Sequence, residues 1–264
     1  MIKIWRGGRV SESARQLSVA CNGRINRPLD SRMRGRRGDV LVDWGTRALA
    51  PVAEVCTVLN TCEASAIAVN KLAFYQSLYT KGFHEIIPRF GTDIHFAIEG
   101  IANGHDIMAR RTLTGSQGAG ISLHGPNFTS SVIPQDCPLY VEYVKKTQEY
   151  RVHVGKTGPH RYECFDQAYK RKRREVANED VNYQVRNSAN GWVYCRDGTD
   201  VGVVPDCVKS AARDAVAACE LDFGAVDVGH HAPSGRVCVY EVNTAPGLEG
   251  TTLERYTDYI RSRA

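Results

Sequence analysis

The segment DFGAVDVGHHAPSGRVCVYEVN, residues 222–243, decides how this sequence folds. Two valine-rich runs flank a turn-forming stretch of His, Pro, Ser and Gly, which predicts a β-hairpin. When the turn is centred near Ser234, Asp227 lies opposite Glu241, and directly opposed residues share one face of a sheet. Asn243 lies two positions beyond Glu241 and is therefore expected on the same face.

This face of the predicted hairpin carries two carboxylates and an amide oxygen, which are hard oxygen ligands. Two carboxylates this close repel each other unless a cation lies between them. Mg²⁺ that also binds nucleotide phosphates is the natural candidate. The polar side of a solvent-facing edge hairpin has the same pattern, so the hairpin alone leaves both interpretations open. The alternate residues Val226, Val228, Tyr240 and Val242 are expected to point into a core.

A glycine-rich segment, GSQGAG at residues 115–120, predicts a second functional element. Glycines permit a tight turn whose N–H groups can bind phosphate oxygens. The sequence that follows is neither the Gly-Lys-Ser/Thr of a Walker loop nor the helix of a Rossmann fingerprint. With strands on both sides, the pattern predicts an antiparallel flap over phosphates, although a plain hairpin turn has the same signature.

Two more strands are predicted at residues 139–144 and 149–154. This pair would place backbone groups against an adenine edge and Glu149 against ribose hydroxyls. Taken alone, it is also an ordinary β-meander.

Composition limits the class of protein. Of the 264 residues, 42% are hydrophobic and 24% are charged, which is typical of a globular chain. No stretch reaches the length of about 18 apolar residues that a membrane helix needs, and the N-terminus lacks the apolar region of a secretory signal. We therefore expect a cytoplasmic protein without membrane contact. The nine cysteines contain no CxxC pair, which predicts reduced, buried side chains and not a zinc site.

Basic residues, which give the chain a net charge of +5, are concentrated in two clusters. Six arginines lie between Arg24 and Arg37, and a second run extends from Lys170 to Arg174. Such clusters bind phosphates, nucleic acid or acidic peptides, or they belong to solvated loops. Three aromatic residues precede the second run, as a stacking surface would require; they are Tyr162, Phe165 and Tyr169.

The remaining pattern predicts an α+β fold. Helices are expected at residues 11–20, 63–81, 204–220 and 252–263, and residues 22–38 are expected to form a loop. Short strands are expected at residues 39–44, 85–88, 107–112, 121–123, 161–168 and 191–195, and residues 52–59 are expected to form a strand or a helical turn.

Taken in order, these elements resemble the ATP-grasp superfamily, in particular the RimK-like carboxylate–amine ligases and more distantly D-Ala–D-Ala ligase. RTLTGSQGAGISL (111–123) resembles the family's flap, and LYVEYVKKTQEYRV (139–152) resembles its adenine hinge and ribose strand. DFGAVDV (222–228) and VYEVNTAPGLEG (239–250) resemble its metal hairpin, and NKLAFYQSL (70–78) its lysine-bearing helix.

The resemblance implies an ATP-grasp fold, in which two α+β lobes clasp ATP between antiparallel sheets. A short N-terminal αβ part would occupy residues 1–60, and the ATP-grasp domain would occupy residues 61–264. Within that domain lie the flap (109–123), the hinge (139–154) and the metal hairpin (223–247). The implied cofactors are ATP and Mg²⁺, with two ions expected and Mn²⁺ able to replace them.

The resemblance also implies roles for particular residues. Phosphate contacts are expected from Lys71, Arg111 and the flap residues Gly115, Ser116, Gln117, Gly118 and Gly120. Nucleoside contacts are expected from Glu142, Tyr143, Val144 and Glu149. The metal ligands would be Asp227, Glu241 and Asn243, with Glu241 bridging two ions. Residues that line the acyl-phosphate site would be Arg151, Arg186 and Asn187.

Three positions depart from the family pattern. Arg111 stands where the RimK-like pattern has lysine, which keeps the charge but changes the geometry. Asn70 replaces the usual acid before Lys71, and Ala225 stands where some relatives carry an arginine.

The implied reaction is ATP-dependent amide formation between a carboxylate and an amine. Both basic clusters are expected to border one cleft and to favour an anionic small molecule or peptide. Two alternatives remain open at this point, namely a kinase on the same scaffold that phosphorylates a hydroxyl and a nucleic-acid-binding protein that uses the basic clusters.

Overall fold

The computed structural model describes residues 1–6, 11–27, 35–46, 55–115, 118–128, 132–196 and 203–264. The strands are β1 (Ile2–Trp5), β2 (Arg24–Asn26), β3 (Val40–Asp43), β4 (Thr57–Leu59), β5 (Phe90–Gly91), β6 (Ile107–Arg110), β7 (Ile121–His124), β8 (Leu139–Glu142), β9 (Gln148–Gly158), β10 (Arg161–Lys172), β11 (Trp192–Cys195), β12 (Phe223–His231) and β13 (Arg236–Asn243). The α-helices are α1 (Glu12–Ala20), α2 (Cys62–Val69), α3 (Lys71–Thr80), α4 (Ile94–Ala102), α5 (Asp206–Ala218) and α6 (Thr251–Arg261).

The N-terminal part is a parallel sheet in the order β2-β1-β3-β4, with α1 packed against it. The Ser11 side chain caps α1 by accepting the N–H of Ala14, as the cap preference of serine predicts. Strand β2 lies inside the segment 22–38 that was predicted to be a loop. Its three residues include only one apolar side chain, which conceals the strand in the sequence, and pairing with β1 stabilises it.

A four-stranded antiparallel sheet in the order β5-β8-β6-β7 forms the first wall of a cleft. Helix α4, which the periodicity analysis did not predict, packs its buried Ala97 against this sheet with Ile107 and Tyr140. The strand predicted at residues 85–88 is wrong, because residues His84–Ile86 form a turn of 3₁₀ helix.

A five-stranded antiparallel sheet in the order β11-β10-β9-β12-β13 forms the second wall. Helix α5 covers one face of this sheet with a stripe of valine and alanine. The hairpin of β12 and β13 is therefore not an isolated edge ribbon, because β12 also pairs with β9. The opposite face of the sheet carries the polar residues and faces the cleft.

The helix predicted over residues 63–81 is divided into α2 and α3 at Asn70. The Asn70 backbone is extended, with ψ at 112°, and its side chain accepts the N–H groups of Leu72 and Ala73. Asparagine competes with helix continuation in this way and favours a new N-terminus. The break places Lys71 in the first turn of α3, where its side chain is buried.

The C-terminal helix α6 packs against α1 and β10. Its buried Tyr256 and Ile260 join Trp44 and Phe223 in one hydrophobic cluster. The ring of Tyr256 meets those of Trp44 and Phe223 edge to face. Within the described ranges, no helix has the length and apolar character needed to cross a membrane.

Candidate active site

A cavity of about 650 Å³ lies between the two antiparallel sheets. This cavity is lined by most of the residues that were predicted from the sequence to form a functional site. These are Gly115, Gly118, Glu142, Tyr143, Val144, Glu149, Arg151, Arg186, Asn187, Asp227, Glu241 and Asn243. Lys71 donates a hydrogen bond to the cavity-lining Glu241. Arg111 and Gly120 do not line the cavity. Ser116 and Gln117 lie outside the described residues.

The hairpin register pairs Asp227 with Glu241 and Ala225 with Asn243, as predicted. The pairing depends on a feature that was not predicted. A β-bulge follows Asp227, so that Val228 pairs with Val239 and Tyr240 is the extra residue. Without this bulge the turn would place Tyr240 opposite Asp227.

Tyr240 was predicted to point into the core, and this prediction is wrong. The bulge brings its ring to the cavity wall, where Lys146 Nζ lies 4.7 Å from the ring centroid. Its hydroxyl is 3.4 Å from the carbonyl oxygen of Val144 in the hinge. Gly229 leaves the space for this ring, because a Cβ atom at Gly229 would lie 2.1 Å from the Tyr240 hydroxyl oxygen.

Gly229→Ala is therefore expected to displace Tyr240 and weaken nucleotide binding by about tenfold, since a loss of about 1.4 kcal/mol changes affinity tenfold. Titration with AMPPNP measures the effect. The double variant Gly229→Ala/Tyr240→Leu should bind no more weakly than Tyr240→Leu alone, because the clash is then absent. Additive losses in the double variant would contradict the steric explanation.

Asp227 is enclosed by cations and a phenol. Arg151 donates to both carboxylate oxygens, with Nε at 2.7 Å and Nη2 at 2.9 Å. The Tyr194 hydroxyl lies 3.1 Å from Oδ2, and Lys170 Nζ lies 3.5 Å from the same oxygen. The sheet positions these groups, because Arg151 pairs with Asp227 across β9 and β12 and Lys170 pairs with Tyr194 across β10 and β11.

Glu241 has a different environment. Lys71 Nζ donates to its Oε2 at 2.8 Å, and Asn243 Nδ2 donates to its Oε1 at 3.1 Å. The Asn243 amide nitrogen also approaches the Ala225 carbonyl at 3.4 Å, so its Oδ1 is the atom that would bind a cation. The Glu241 side chain remains 30% exposed, whereas that of Asp227 is 5% exposed.

Electrostatics keep both carboxylates ionised. Burial would raise the pKa of Asp227, but Arg151 and Lys170 outweigh it and hold the pKa below its usual value. Burial likewise acts to raise the pKa of Glu241, and Lys71 reverses the effect and lowers it. Burial acts to lower the pKa of Lys170, but Asp227 and Glu149 raise it above its ordinary value.

The Glu149 side chain is buried between two lysines and is engaged at both oxygens. Lys170 Nζ donates to Oε1, and Lys146 Nζ lies 3.3 Å from Oε2. The structure thus places Glu149 in the cavity wall and pairs it with Lys146. The sequence did not predict this partner, because nothing distinguishes Lys146 from the adjacent Lys145. Burial lowers the pKa of Lys146.

Arg186 lies at the cavity with its guanidinium bound to the backbone. It donates to the carbonyls of Tyr183 and Thr147, each at 3.2 Å, and its Cζ lies 4.4 Å from the Trp192 ring centroid. The Asn187 side chain accepts the N–H of Asn190 at 2.9 Å and caps a short 3₁₀ turn. These contacts hold the cavity wall in place.

The flap and its entering strand bring a different arginine to the cavity from the one expected. Met108 and Arg110 of β6 line the cavity, while Arg111 is exposed, and its N–H donates to the Gly120 carbonyl at 2.9 Å. The Nε atom of Arg110 is buried and has no hydrogen-bond partner. The period of two along β6 was the signal that could have identified Arg110.

The glycine at 118 brings the flap against the opposite wall. Its φ is +76°, and a Cβ atom there would lie 2.8 Å from Val185 Cγ1 and 3.6 Å from Asn187 Nδ2. Only glycine permits both the backbone conformation and this close approach.

The hinge residues Glu142, Tyr143 and Val144 connect the two sheets at the inner end of the cavity. The N–H groups of Glu142 and Tyr143 donate to the carbonyls of Arg89 and Asp106 at 2.8 Å. The carboxylate of Glu142 lies 3.7 Å from His105 Nδ1 and 3.6 Å from Arg236 Nη1. These contacts anchor the hinge backbone along the cavity.

The two basic clusters do not border the cleft together in the described part of the chain. In the second cluster, strand β10 extends to Lys172, and Lys170 and Arg173 line the cavity. The described residues of the first cluster are absent from the cavity wall, and Arg32 and Arg34 lie outside the described residues. Five of the nine cysteines are buried, whereas Cys207 is exposed, so the expectation of buried side chains holds only in part.

No family model matches the sequence, and no curated protein matches it. Solved structures do resemble the fold over the whole chain. The ATP-grasp ligase PsnB, complexed with a minimal precursor, superposes with a TM-score of 0.67 at 11% identity, covering 100% of this chain and 99% of that one.

Two other ligases show the same likeness. D-alanine–D-alanine ligase from Bacillus anthracis has a TM-score of 0.63 at 14% identity and covers 99% and 96% of the two chains. VanG D-Ala:D-Ser ligase from Enterococcus faecalis has a TM-score of 0.65 at 14% identity and covers 99% and 98%. Together with the cleft between two antiparallel sheets, these likenesses show that the chain has the ATP-grasp fold, as predicted.

Proposed function

We propose that this protein is an ATP-dependent carboxylate–amine ligase that activates its carboxylate substrate as an acyl phosphate. The observation that supports this most strongly is the row Arg151–Asp227–Glu241 across the second sheet. It places two carboxylates beside buried cations at the wall of a cavity large enough for a nucleotide.

The chemistry follows from charge. A substrate carboxylate that attacks the γ-phosphate of ATP approaches another anion, so the site must neutralise both. Lys71, Arg151 and Arg110 are three of the cations that could do so on the two walls. The acyl phosphate that forms is then attacked by an amine, which yields an amide, ADP and phosphate. The scattered cysteines need no role in this route.

The donor set also fits Mg²⁺. Asp227, Glu241 and Asn243 would hold the ion, which supplies further neutralisation of the phosphates. In the part of the chain that the structure describes, no group of three or more His, Cys, Asp and Glu could hold a metal alone. Mg²⁺ would take its remaining ligands from phosphates and water. The number of ions and the use of Mn²⁺ remain predictions.

In this proposal the adenine base of ATP lies between the two antiparallel sheets. Met108 and Val141 of the first sheet and Tyr240 of the second provide apolar surface beside the hinge. The phosphates extend towards Gly115, Gly118 and Arg110. The phosphate contact expected from Arg111 is assigned to Arg110 in this proposal, because Arg110 and not Arg111 lines the cavity.

The neighbouring arginines allow a matched test. Arg110→Met is expected to weaken AMPPNP binding at least about tenfold, since a charge-assisted hydrogen bond contributes roughly 1.5–3 kcal/mol. Arg111→Met should change it less than about twofold, because an exposed charge is screened by solvent. Calorimetric titration with AMPPNP measures the affinity of both variants. A larger loss of AMPPNP affinity in Arg111→Met than in Arg110→Met would support Arg111 as the phosphate-binding residue.

The substrate is proposed to be an anionic amino acid or peptide. Arg173 and Arg196 line the cavity, and an electropositive cavity concentrates anions. Two of the similar solved structures are described as PsnB with a precursor peptide and as a ligase of D-alanine, so both peptides and amino acids belong in the test panel.

The nucleic-acid alternative finds little support. Phe165 stacks on Tyr259 and meets Tyr256 edge to face, and Tyr162 and Tyr169 pack against the main core. Lys170 is paired with Glu149, and Lys172 donates to the Val176 carbonyl. These side chains are therefore occupied within the protein.

Measuring ADP release with a panel of acids and amines tests the proposal. Release should require Mg²⁺ and one carboxylic acid, and RNA or DNA should not replace the acid. Release that depends on an alcohol would support the kinase alternative instead.

A further inference from the structure

The chain directly after β13, residues 244–249, lies between the cavity and the N-terminal part of the protein. Gly247 and Glu249 of this 244–249 segment line the cavity, whereas Thr244 and Leu248 are buried. The segment belongs to no helix or strand. Its position therefore depends on the residues that pack behind it.

The carboxyl end of β3 packs behind the 244–249 segment. Leu248 joins Trp44 in one hydrophobic cluster, and Ala245 packs against the same cluster. Gly45 has a φ of +69°, and a Cβ atom there would lie 2.7 Å from the Cβ atom of Ala245. Glycine at position 45 thus permits both the backbone conformation and the close approach of the two chain segments.

Arg6 fixes the turn that contains Gly45. Its Nη1 atom donates to the carbonyls of Trp44 and Gly45, each at 2.9 Å. The carboxylate of Asp43 closes the same turn by accepting the N–H of Thr46 at 2.8 Å. Arg6 directly follows β1, and β1 pairs with β3, so two neighbouring strands end in the contacts that hold this turn.

The direction of β13 shows which part of the cavity the 244–249 segment borders. The Tyr240 hydroxyl lies 3.4 Å from the Val144 carbonyl of the hinge, and the strand then runs through Glu241 to end at Asn243. The segment therefore lies beyond Glu241 as seen from the hinge. A carboxylate that attacks the γ-phosphate of a nucleotide held at the hinge would approach from this side.

We propose that Arg6 and Gly45 are positioning residues, which hold the 244–249 segment in place as the part of the cavity wall that receives the carboxylate substrate. This inference rests on the proposed ligase function. None of the described residues among the first 60 lines the cavity, so the N-terminal part would act on the reaction only through this contact.

Gly45→Ala tests the contact, because the added methyl group must displace Ala245 or Arg6. The KM for the carboxylate substrate is expected to rise about tenfold, since small displacements of substrate-positioning groups have large effects on rate. The KM for ATP should change less than about twofold, because the hinge and the helix that carries Lys71 are separate elements.

Gly38→Ala is the matched control. Gly38 also has a positive φ, +87°, but no atom of the described residues lies within 4 Å of its Cβ position. The control introduces similar backbone strain without a clash and should leave both KM values unchanged. The double variant Gly45→Ala/Ala245→Gly removes one of the two clashing methyl groups and should recover part of the loss.

Arg6 allows a second test that adds no atoms at the contact. Arg6→Met should raise the KM for the carboxylate substrate in the same way as Gly45→Ala. Arg6→Lys keeps a donor for the two carbonyls and should be impaired less. A lysine variant as impaired as the methionine variant would contradict the role given to these hydrogen bonds.

Hydrogen exchange followed by mass spectrometry tests the positioning role without any substrate. The backbone amides of residues 244–250 should exchange at least about fivefold faster in Gly45→Ala and Arg6→Met than in the wild type, because local opening is then easier. Gly38→Ala should exchange like the wild type in this segment.

Unchanged exchange of residues 244–250 in both Gly45→Ala and Arg6→Met would overturn the proposal. Equal rises in the KM for the acid and for ATP would do the same, because they indicate a general loss of structure. Failure of the wild-type protein to form any amide would instead contradict the ligase proposal. The exchange rates would in that case still decide whether Arg6 and Gly45 hold the segment.

Discussion

Replacement of Glu241 with glutamine is expected to lower ATP turnover at least about 100-fold while leaving the fold intact. Glu241 faces the cavity beside Asp227 and Asn243 and keeps the larger exposed fraction of the two carboxylates. Glutamine preserves the size and one oxygen of the side chain but removes the charge that would bind a divalent cation. The measurement is steady-state ADP release with the acid that supports it.

Glu254→Gln is a suitable control, because Glu254 lies exposed on α6, away from the cavity wall. It should release ADP at the wild-type rate. A thermal melt of both variants separates loss of activity from loss of structure. Near-wild-type ADP release by Glu241→Gln would contradict the assignment of Glu241 to the metal.

Asp227→Asn is expected to lower the free energy of unfolding by about 3 kcal/mol at neutral pH, since breaking a buried ion pair typically costs 3–5 kcal/mol. The variant leaves the Arg151 guanidinium, whose side chain is only 16% exposed, without its charged partner. Urea unfolding measures the change. Arg151→Met/Asp227→Asn should recover part of the loss because it removes both charges.

The same pair predicts a pH dependence. The pKa of Asp227 is lowered in the folded protein, so its contribution is fully present above the unfolded pKa of about 3.9. The contribution is lost as pH falls towards the folded pKa. The difference in stability between wild type and Asp227→Asn should therefore be constant from pH 7 to about pH 5 and decrease below about pH 4. A difference that grows on acidification would contradict the ion pair.

The pairing of Asp227 with Glu241 could be predicted from the sequence, because charge, alternation and a turn signal lie within 22 residues (222–243). The position of Tyr240 could not. It depends on a bulge, on the space that Gly229 leaves for the ring and on the contact with the Val144 carbonyl, all of which exist only in the folded sheet. Local patterns do not encode such long-range packing.

The glycine flap was likewise predictable from the sequence only in part. The glycines predicted its turn, but identifying the cavity-facing arginine required the phase of β6, which pairing with β7 and β8 determines. The break at Asn70 was visible as an asparagine inside a helical pattern, yet helical periodicity continued through it. The hydrogen bonds by which the Asn70 side chain caps α3 favour the break. The break places Lys71 within hydrogen-bond distance of Glu241.

The parallel N-terminal sheet was only partly predictable. Strand β1 is short and begins at the second residue, and β2 has few apolar residues to mark it. Strand β1 is stabilised by pairing with β3, and β2 by pairing with β1. Both also pack in the hydrophobic cluster that contains the C-terminal helix, which is more than 200 residues away in the chain. Their formation therefore depends on tertiary contacts more than on local sequence.

The most direct test of the central claim is trapping of the acyl phosphate with hydroxylamine. The protein is incubated with ATP, Mg²⁺, hydroxylamine and single members of a panel of amino acids and acidic peptides. A ligase is predicted to form a hydroxamate that requires ATP, Mg²⁺ and one carboxylic acid, and Glu241→Gln should form none. Formation of only a hydroxylamine-stable phosphate ester on an alcohol would contradict the ligase and identify a kinase on the ATP-grasp fold.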